Sequence, residues 1–283
     1  MIPSEQKLSS PQRSSISYNQ KLFSVFINYT AFFITSFAIA YFIYHASTVL
    51  IALTFHIPTT WSGEGIKFKV SELEWLKQVV VSVRLIPPLI LAASSFIFYR
   101  IYRFNKRKAG MIKAFWLWMY LNSANFALGN TVADIATNTG VWEGLQAQRI
   151  APIVQVFIAI VCIISMLIIG YKAGRPFLLS ANSRELIKKD NKFRFVFFAV
   201  ILPWLLGSVL FFLVEFIAAG RANFGIYLSI GLMLTPIINS YASYTEISLV
   251  KDRQKRIILL EFIVLATIMF SLFVVVNFTR LQF

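Results

Sequence analysis

Apolar runs of about 20 residues recur along the whole chain, each closed by charge, glycine or proline. A run of that length, coiled as a helix, crosses the roughly 30 Å hydrocarbon core of a bilayer. Crossing also requires every backbone N–H and C=O to find a partner within the protein, which leaves only helices and closed barrels. The runs are far longer than the roughly ten residues of a barrel strand. The pattern therefore predicts an all-α integral membrane protein, a polytopic helical bundle. Composition agrees, with 58% hydrophobic and 14% charged residues against about half apolar and a quarter charged in soluble domains.

Seven spans are expected, at about 22–46, 79–103, 112–136, 150–172, 194–218, 225–247 and 256–278, within one transmembrane domain over 22–283. The first apolar run continues to Phe55, so helix 1 should be longer or more tilted than its neighbours. Residues 1–21 read as a polar, disordered cytosolic tail, and the run behind them is too long for a cleavable signal.

Charge orients the bundle. Lys7, Arg13 and Lys21 precede span 1; Arg100, Arg103, Lys106, Arg107, Lys108 and Lys113 flank the second connection. Lys172, Arg175, Arg184, Lys188, Lys189, Lys192 and Arg194 surround the fourth, and Lys251, Arg253, Lys255 and Arg256 the sixth. Twenty of the 27 basic residues thus fall on one side of an alternating seven-span bundle. That asymmetry predicts a cytoplasmic N-terminus and an external C-terminus, and it fits a bacterial cytoplasmic (inner) membrane. The net charge of +15 is explained by membrane orientation and by contact with anionic lipid headgroups at the cytoplasmic loops, not by nucleic acid.

The longest external connection, residues 56–78, contains "GIKFKV", whose alternation reads as a short strand. Ser71 and Glu74 have capping-box spacing, so helix 2 is expected to start near Glu72. Trp61 and Trp75 should anchor this segment on the bundle. Pro87 and Pro88, Pro203 and Pro236 interrupt spans 2, 5 and 6 and predict kinks.

Ionisable residues at membrane depth are expensive and need a partner or a task. Asp134 lies near the outer end of span 3, with Asn130 one turn deeper and Ser123, Asn122, Asn125 and Gly129 on the same or an adjacent stripe. Arg84, Gln155, Glu215 and His45 fall near the outer ends of spans 2, 4, 5 and 1. Asp134, Arg84, Asn130, Glu215, Gln155 and His45 are therefore expected as one outer polar cluster, either a structural clamp or the lining of an outward-facing cavity. A direct Asp134–Arg84 pair is its sharpest element. A second polar face, Asn239, Ser243 and Glu246 on span 6 with Glu261 on span 7, lies toward the cytosol, where loop cations can meet the acids.

No HExxH, GxSxG, Walker A or Rossmann pattern occurs. The single cysteine, Cys162, offers no disulfide or multi-cysteine metal site. His45 and His56 are read as interfacial polar residues, and His45 with Asp134 and Glu215 as a minor metal-ligand alternative. Span 7 has no lysine to carry a retinal Schiff base. "NYT" at 28–30 and "NFT" at 277–279 lie at predicted spans and read as chance glycosylation matches. No cofactor is expected. The leading functional reading is a non-catalytic membrane component, a subunit or anchor assembling with another membrane protein or with itself. A small transporter or ion conductor comes second, and a membrane enzyme acting on a lipid-linked substrate third. A cytosol-dependent reporter fused after Lys108 should be active and one fused at Phe283 silent; the opposite pattern would reverse every depth assigned above.

Overall fold

The computed structural model describes residues 17–70, 75–106, 111–181, 183–220, 222–240 and 258–283. Helix α1 (Tyr18–Thr54) leads into a hairpin of β1 (Thr59–Ser62) and β2 (Gly65–Phe68), then α2 (Lys77–Asn105). α3 (Ile112–Ala124), a π-helical turn (Asn125–Gly129) and α4 (Asn130–Thr137) follow one another without a break. The short α5 (Val141–Ala147) precedes α6 (Pro152–Leu179). α7 (Lys192–Val196), a second π turn (Phe197–Ile201) and α8 (Leu202–Ala219) likewise run on from one another. α9 (Phe224–Ser240), α10 (Leu260–Phe278) and β3 (Leu281–Gln282) complete the chain.

Among the described residues, five helical stretches are long and apolar enough to cross a membrane: Tyr18–Thr54, Lys77–Asn105, Pro152–Leu179, Lys189–Ala219 and Leu260–Phe278. The remaining two expected spans fall on the helical run over 112–137 and on the shorter apolar α9, with 241–247 outside the described residues. Among the described residues α1, at 37 residues, is the longest helix. Its start is set by Ser17, whose hydroxyl accepts from the Gln20 N–H while the Gln20 side chain accepts from the Ser17 N–H. The capping box expected at Ser71 and Glu74 lies outside the described residues. α2 begins at Lys77, later than expected, because Trp75 is committed to the hairpin: its ring packs edge-on against Phe68 at 5.2 Å, and Leu76 is extended.

α1 is the central element. The most apolar part of α1 is 67% buried, against 22% for α6 and 17% for α10, so the other helices are arranged around it. Its rings carry the contacts. Phe37 stacks on Phe211 at 4.5 Å and on Tyr227 at 5.5 Å, and meets Phe126 edge-on at 5.1 Å. Phe33 meets Trp118 at 5.1 Å, and Tyr41 meets Phe273 at 4.7 Å. Lipid tails are as apolar as these side chains, so in a bilayer close fit rather than water release holds such a core. Glycines supply the closest approaches: a Cβ on Gly207 would overlap the Phe33 ring, and one on Gly170 would overlap the Met233 carbonyl where α6 crosses α9.

At one end of the bundle β1 pairs antiparallel with both β2 and β3, in the order β2-β1-β3. Trp61 stands opposite Leu281, and the Gly63 N–H donates to the Asn277 carbonyl at 3.0 Å. The hairpin is thereby fastened to the C-terminal residues, and buried Trp61 meets the rings of Tyr41, Phe42 and His45 on α1. Trp61 and Trp75 act as the expected anchors of this segment, whose residues 71–74 lie outside the described residues; β3 was not anticipated, since two residues carry no periodicity. Asn28 and Asn277 of the two glycosylation matches are both buried in the bundle.

The opposite, basic end is tied by Lys21 to Glu185 at 2.6 Å, which holds the Glu185 carboxyl below its ordinary range. Asn28 accepts from the Leu259 N–H at 2.9 Å, and the Tyr29 hydroxyl meets Ser180 at 2.5 Å. The prolines behave differently from one another. Pro87 and Pro88 lie inside α2 and Pro236 inside α9, whereas Pro203 stands in the first turn of α8, two residues past the end of the second π turn. A widened turn makes room for a proline ring that would otherwise press on the carbonyl four residues earlier. Gly170→Leu should lower stability by roughly 1–3 kcal/mol through overpacking at the α6–α9 crossing, with Gly170→Ala intermediate, as read by thermal unfolding in detergent.

Candidate polar site at the hairpin end

The polar residues of the 122–134 segment are buried, as the stripe predicted. Their hydrogen bonds go to several different neighbours. Asn122 Nδ2 donates to Ser36 Oγ on α1 at 2.7 Å. Asn125, at the start of the π turn, donates to the Ile226 carbonyl at 2.9 Å and accepts from Ser229 Oγ at 2.8 Å, both on α9. Asn130 Oδ1 accepts from Asn223 Nδ2 at 3.2 Å, and the Tyr44 hydroxyl neighbours the same amide. The π turn adds a residue to the helical repeat, and its wide hydrogen bond runs from the Asn130 N–H to the Asn125 carbonyl. Thr131 Oγ1 donates to the Ala127 carbonyl at 2.7 Å within the widened turn. Successive amides are thus turned onto different partners. Gly129 lets α9 come close, because a Cβ there would overlap the Ser229 hydroxyl and the Asn125 amide oxygen.

Asp134 and Arg84 converge on the same small element without forming the expected direct pair. Asp134 Oδ2 accepts from the Val141 N–H at 2.9 Å, at the start of α5. Its carbonyl accepts from Asn138, which is left-handed at φ 56°, and from Thr139. Gly140, at φ +53°, lies so close that a Cβ would overlap the Asp134 carboxylate. Arg84 Nη2 instead meets Glu143 Oε2 at 2.7 Å, while its guanidinium lies 5.1 Å from the centre of the Phe68 ring. Arg84 Nε is buried without an acceptor. Arg84 remains within electrostatic reach of Asp134. The physical reason for the change of partner is the α5 turn: it carries Glu143 to Arg84 and presents a backbone N–H that already occupies the Asp134 oxygen.

The rest of the expected cluster divides. Glu215 is buried and accepts from the Asn223 N–H at a long 3.4 Å, so Asn130 of α4, Asn223 just before α9 and Glu215 of α8 form a chain of contacts. Tyr227 lies within electrostatic reach of Glu215, but its hydroxyl makes no well-formed hydrogen bond. Gln155 is buried and donates back to the Ile150 carbonyl at 2.8 Å, leaving its Oε1 without a donor. His45 sits among rings, with Tyr41 centred 4.1 Å away and Tyr44 and Trp61 each 5.4 Å away, and its Nδ1 has no hydrogen-bond partner. His45, Asp134 and Glu215 do not converge as ligands: among the described residues no group of three such side chains could hold a metal ion.

On the other expected face, Ser243 and Glu246 lie outside the described residues. Asn239 is exposed and lines a groove between α6 and α9, and Glu261 is exposed in the first turn of α10.

Glu143 and Asn223 were not anticipated as members of the outer cluster. Glu143 is the only carboxylate between Asp134 and Glu185, which was the signal available for it. Nothing about Asn223 marked it in advance. Comparison with protein-family models, curated proteins and solved structures returns no match.

A double-mutant cycle on Arg84→Ala and Glu143→Ala should give a coupling of at most about 1 kcal/mol, since both side chains are partly exposed. Asp134→Ala should be more damaging, by about 1–3 kcal/mol, because the Val141 N–H is left buried and unpaired. Asp134→Asn should recover most of that loss. Equal stabilities of the alanine and asparagine variants in detergent unfolding would remove Asp134 as the cap of α5.

Proposed function

We propose that the chain crosses the membrane seven times with its basic end in the cytoplasm, and that it is a non-catalytic component, a subunit or anchor that assembles with another membrane protein. One observation carries the reading: most hydrogen-bonding side chains of the 122–134 segment, and the Arg84 guanidinium beside it, are spent on ties between elements. Asn122 goes to Ser36, Asn125 to Ile226 and Ser229, Asn130 to Asn223, Asp134 to Val141 and Arg84 to Glu143. A site built to bind or carry a solute would direct such groups into shared space, whereas here each fixes one element to another. The interior of α1 is filled with stacked rings, while α6 turns a wide apolar face outward, including Ile153, Phe157, Ile160 and Ile164. Lipid or a partner's helices can cover such a face equally well. Concentration of positive charge at one end and the short connections fit a bacterial cytoplasmic membrane.

A second reading, a small transporter, is favoured by one specific feature. Asn122 Oδ1, Ser123 Oγ and Ser208 Oγ are buried within the bundle without hydrogen-bond partners. Buried polar atoms of this kind are where water or an ion enters.

Extraction from native membranes under mild detergent, followed by mass spectrometry of the purified particle, separates the two. The component reading expects a companion membrane protein at fixed stoichiometry. Recovery of the chain alone, together with solute or ion flux in proteoliposomes that Asn122→Leu abolishes, would replace it with transport.

A further inference from the structure

Where α6 crosses α9 toward the basic end, the two helices meet at Gly170 and Met233 and leave a groove of about 530 Å³ beside the contact. Ile164, Leu167, Ile168 and Tyr171 of α6 form one wall, and Thr235, Pro236 and Asn239 of α9 the other. The α6 wall follows the i, i+3, i+4, i+7 spacing of one helix face and extends about 10 Å along the axis. The same face continues past Tyr171 to exposed Lys172, one turn beyond Ile168, and to exposed Arg175, one turn beyond Tyr171.

Chemically the groove is graded. Its deeper part is aliphatic. Thr235, though exposed, turns its hydroxyl back to the Gly231 carbonyl at 3.0 Å, so it offers no donor to the groove. Toward the basic end come the exposed Asn239 amide, the Tyr171 ring, and then the two cations. An amide facing hydrocarbon is poorly placed unless an acceptor reaches it. Long cationic side chains near a helix end reach outward to the headgroup level.

We propose that this groove binds one anionic phospholipid. Its acyl chain lies along Ile164, Ile168 and Pro236, its ester region meets Asn239, and its phosphate is held by Lys172 and Arg175 with the Tyr171 ring beneath. Charge complementarity selects the occupant. A zwitterionic lipid fills the same aliphatic wall but brings a quaternary ammonium group near two cations, and a second copy of this chain would bring its own Lys172 and Arg175 against these.

The test uses the full-length protein in mild detergent, offered equal amounts of phosphatidylglycerol and phosphatidylcholine of matched chains, with bound lipid counted by native mass spectrometry. Wild type should retain phosphatidylglycerol at least about fivefold over phosphatidylcholine, the effect of one basic residue near a membrane surface. Lys172→Gln with Arg175→Gln should remove the preference, while Lys172→Arg with Arg175→Lys keeps it. Ile168→Trp, which fills the groove, should reduce retention of both lipids. Equal retention of the two lipids by wild type overturns the proposal without reference to any variant. So does an unchanged preference in the double glutamine variant. A dimer that Ile168→Trp converts to monomer, with bound lipid unaltered, assigns the groove to a second copy instead. None of these readouts depends on whether the chain has a protein partner, so failure here leaves the component reading standing, and the converse holds.

Discussion

The bundle depends on how closely α1 seats against its neighbours. In a bilayer, burying one apolar surface against another gains little over burying it in lipid, so attraction between helices rests on shape and on polar contacts that lipid cannot make. α1 supplies the shape: Phe33, Phe37 and Tyr41 recur every four residues and reach α3, α8, α9 and α10 through ring contacts near 5 Å. Gly207 leaves space for the Phe33 ring and Gly170 brings α6 against α9. Large rings and missing side chains are thus complementary halves of one packing solution.

Polar contacts then decide which helices meet. Asn122 reaches α1, Asn125 reaches α9 and Asn130 meets Asn223 just before α9, with the π turn at Asn125–Gly129 separating the last amide from the first two. In a straight α-helix, Ser123 and Asn130 would lie on nearly one stripe and the segment would present a single polar face. An inserted residue breaks that stripe. The second π turn, before Pro203, relieves a different demand, the clash of a proline ring with the preceding turn. Two irregularities of the same kind therefore serve opposite ends of the problem, one directing side chains and the other accommodating backbone.

At the hairpin end, α5 acts as a small clasp. Asp134 from α4 holds its first N–H, Arg84 from α2 holds Glu143, and the pair Asn138 and Gly140 supplies the left-handed turns that bring them there. The β-sheet closes the other side, with Trp61 set into the rings of α1 and β3 joining the last residues to the hairpin. These devices fix the ends of helices whose middle portions are held by ring packing and by the Asn122 and Asn125 contacts, and they account for where Asp134 and Arg84 sit.

The sequence by itself determined the all-α class of fold, the apolar runs that become the five helices long enough to cross a membrane, the extension of α1 toward Phe55 and the burial of the 122–134 stripe. Those properties follow from local periodicity and from the length of apolar runs, and neither depends on knowing what packs against what. Only the tertiary structure decided the partners. Arg84 takes Glu143 because the turn at Asn138–Gly140 swings α5 across α2. Asn130 takes Asn223, and Gln155 takes its own connecting loop. A helical wheel fixes the side on which a residue lies, but it assumes an unbroken repeat and is blind to the loops. In this chain a π turn broke the repeat and a seven-residue helix in a loop supplied the charge, so burial was legible while pairing was not.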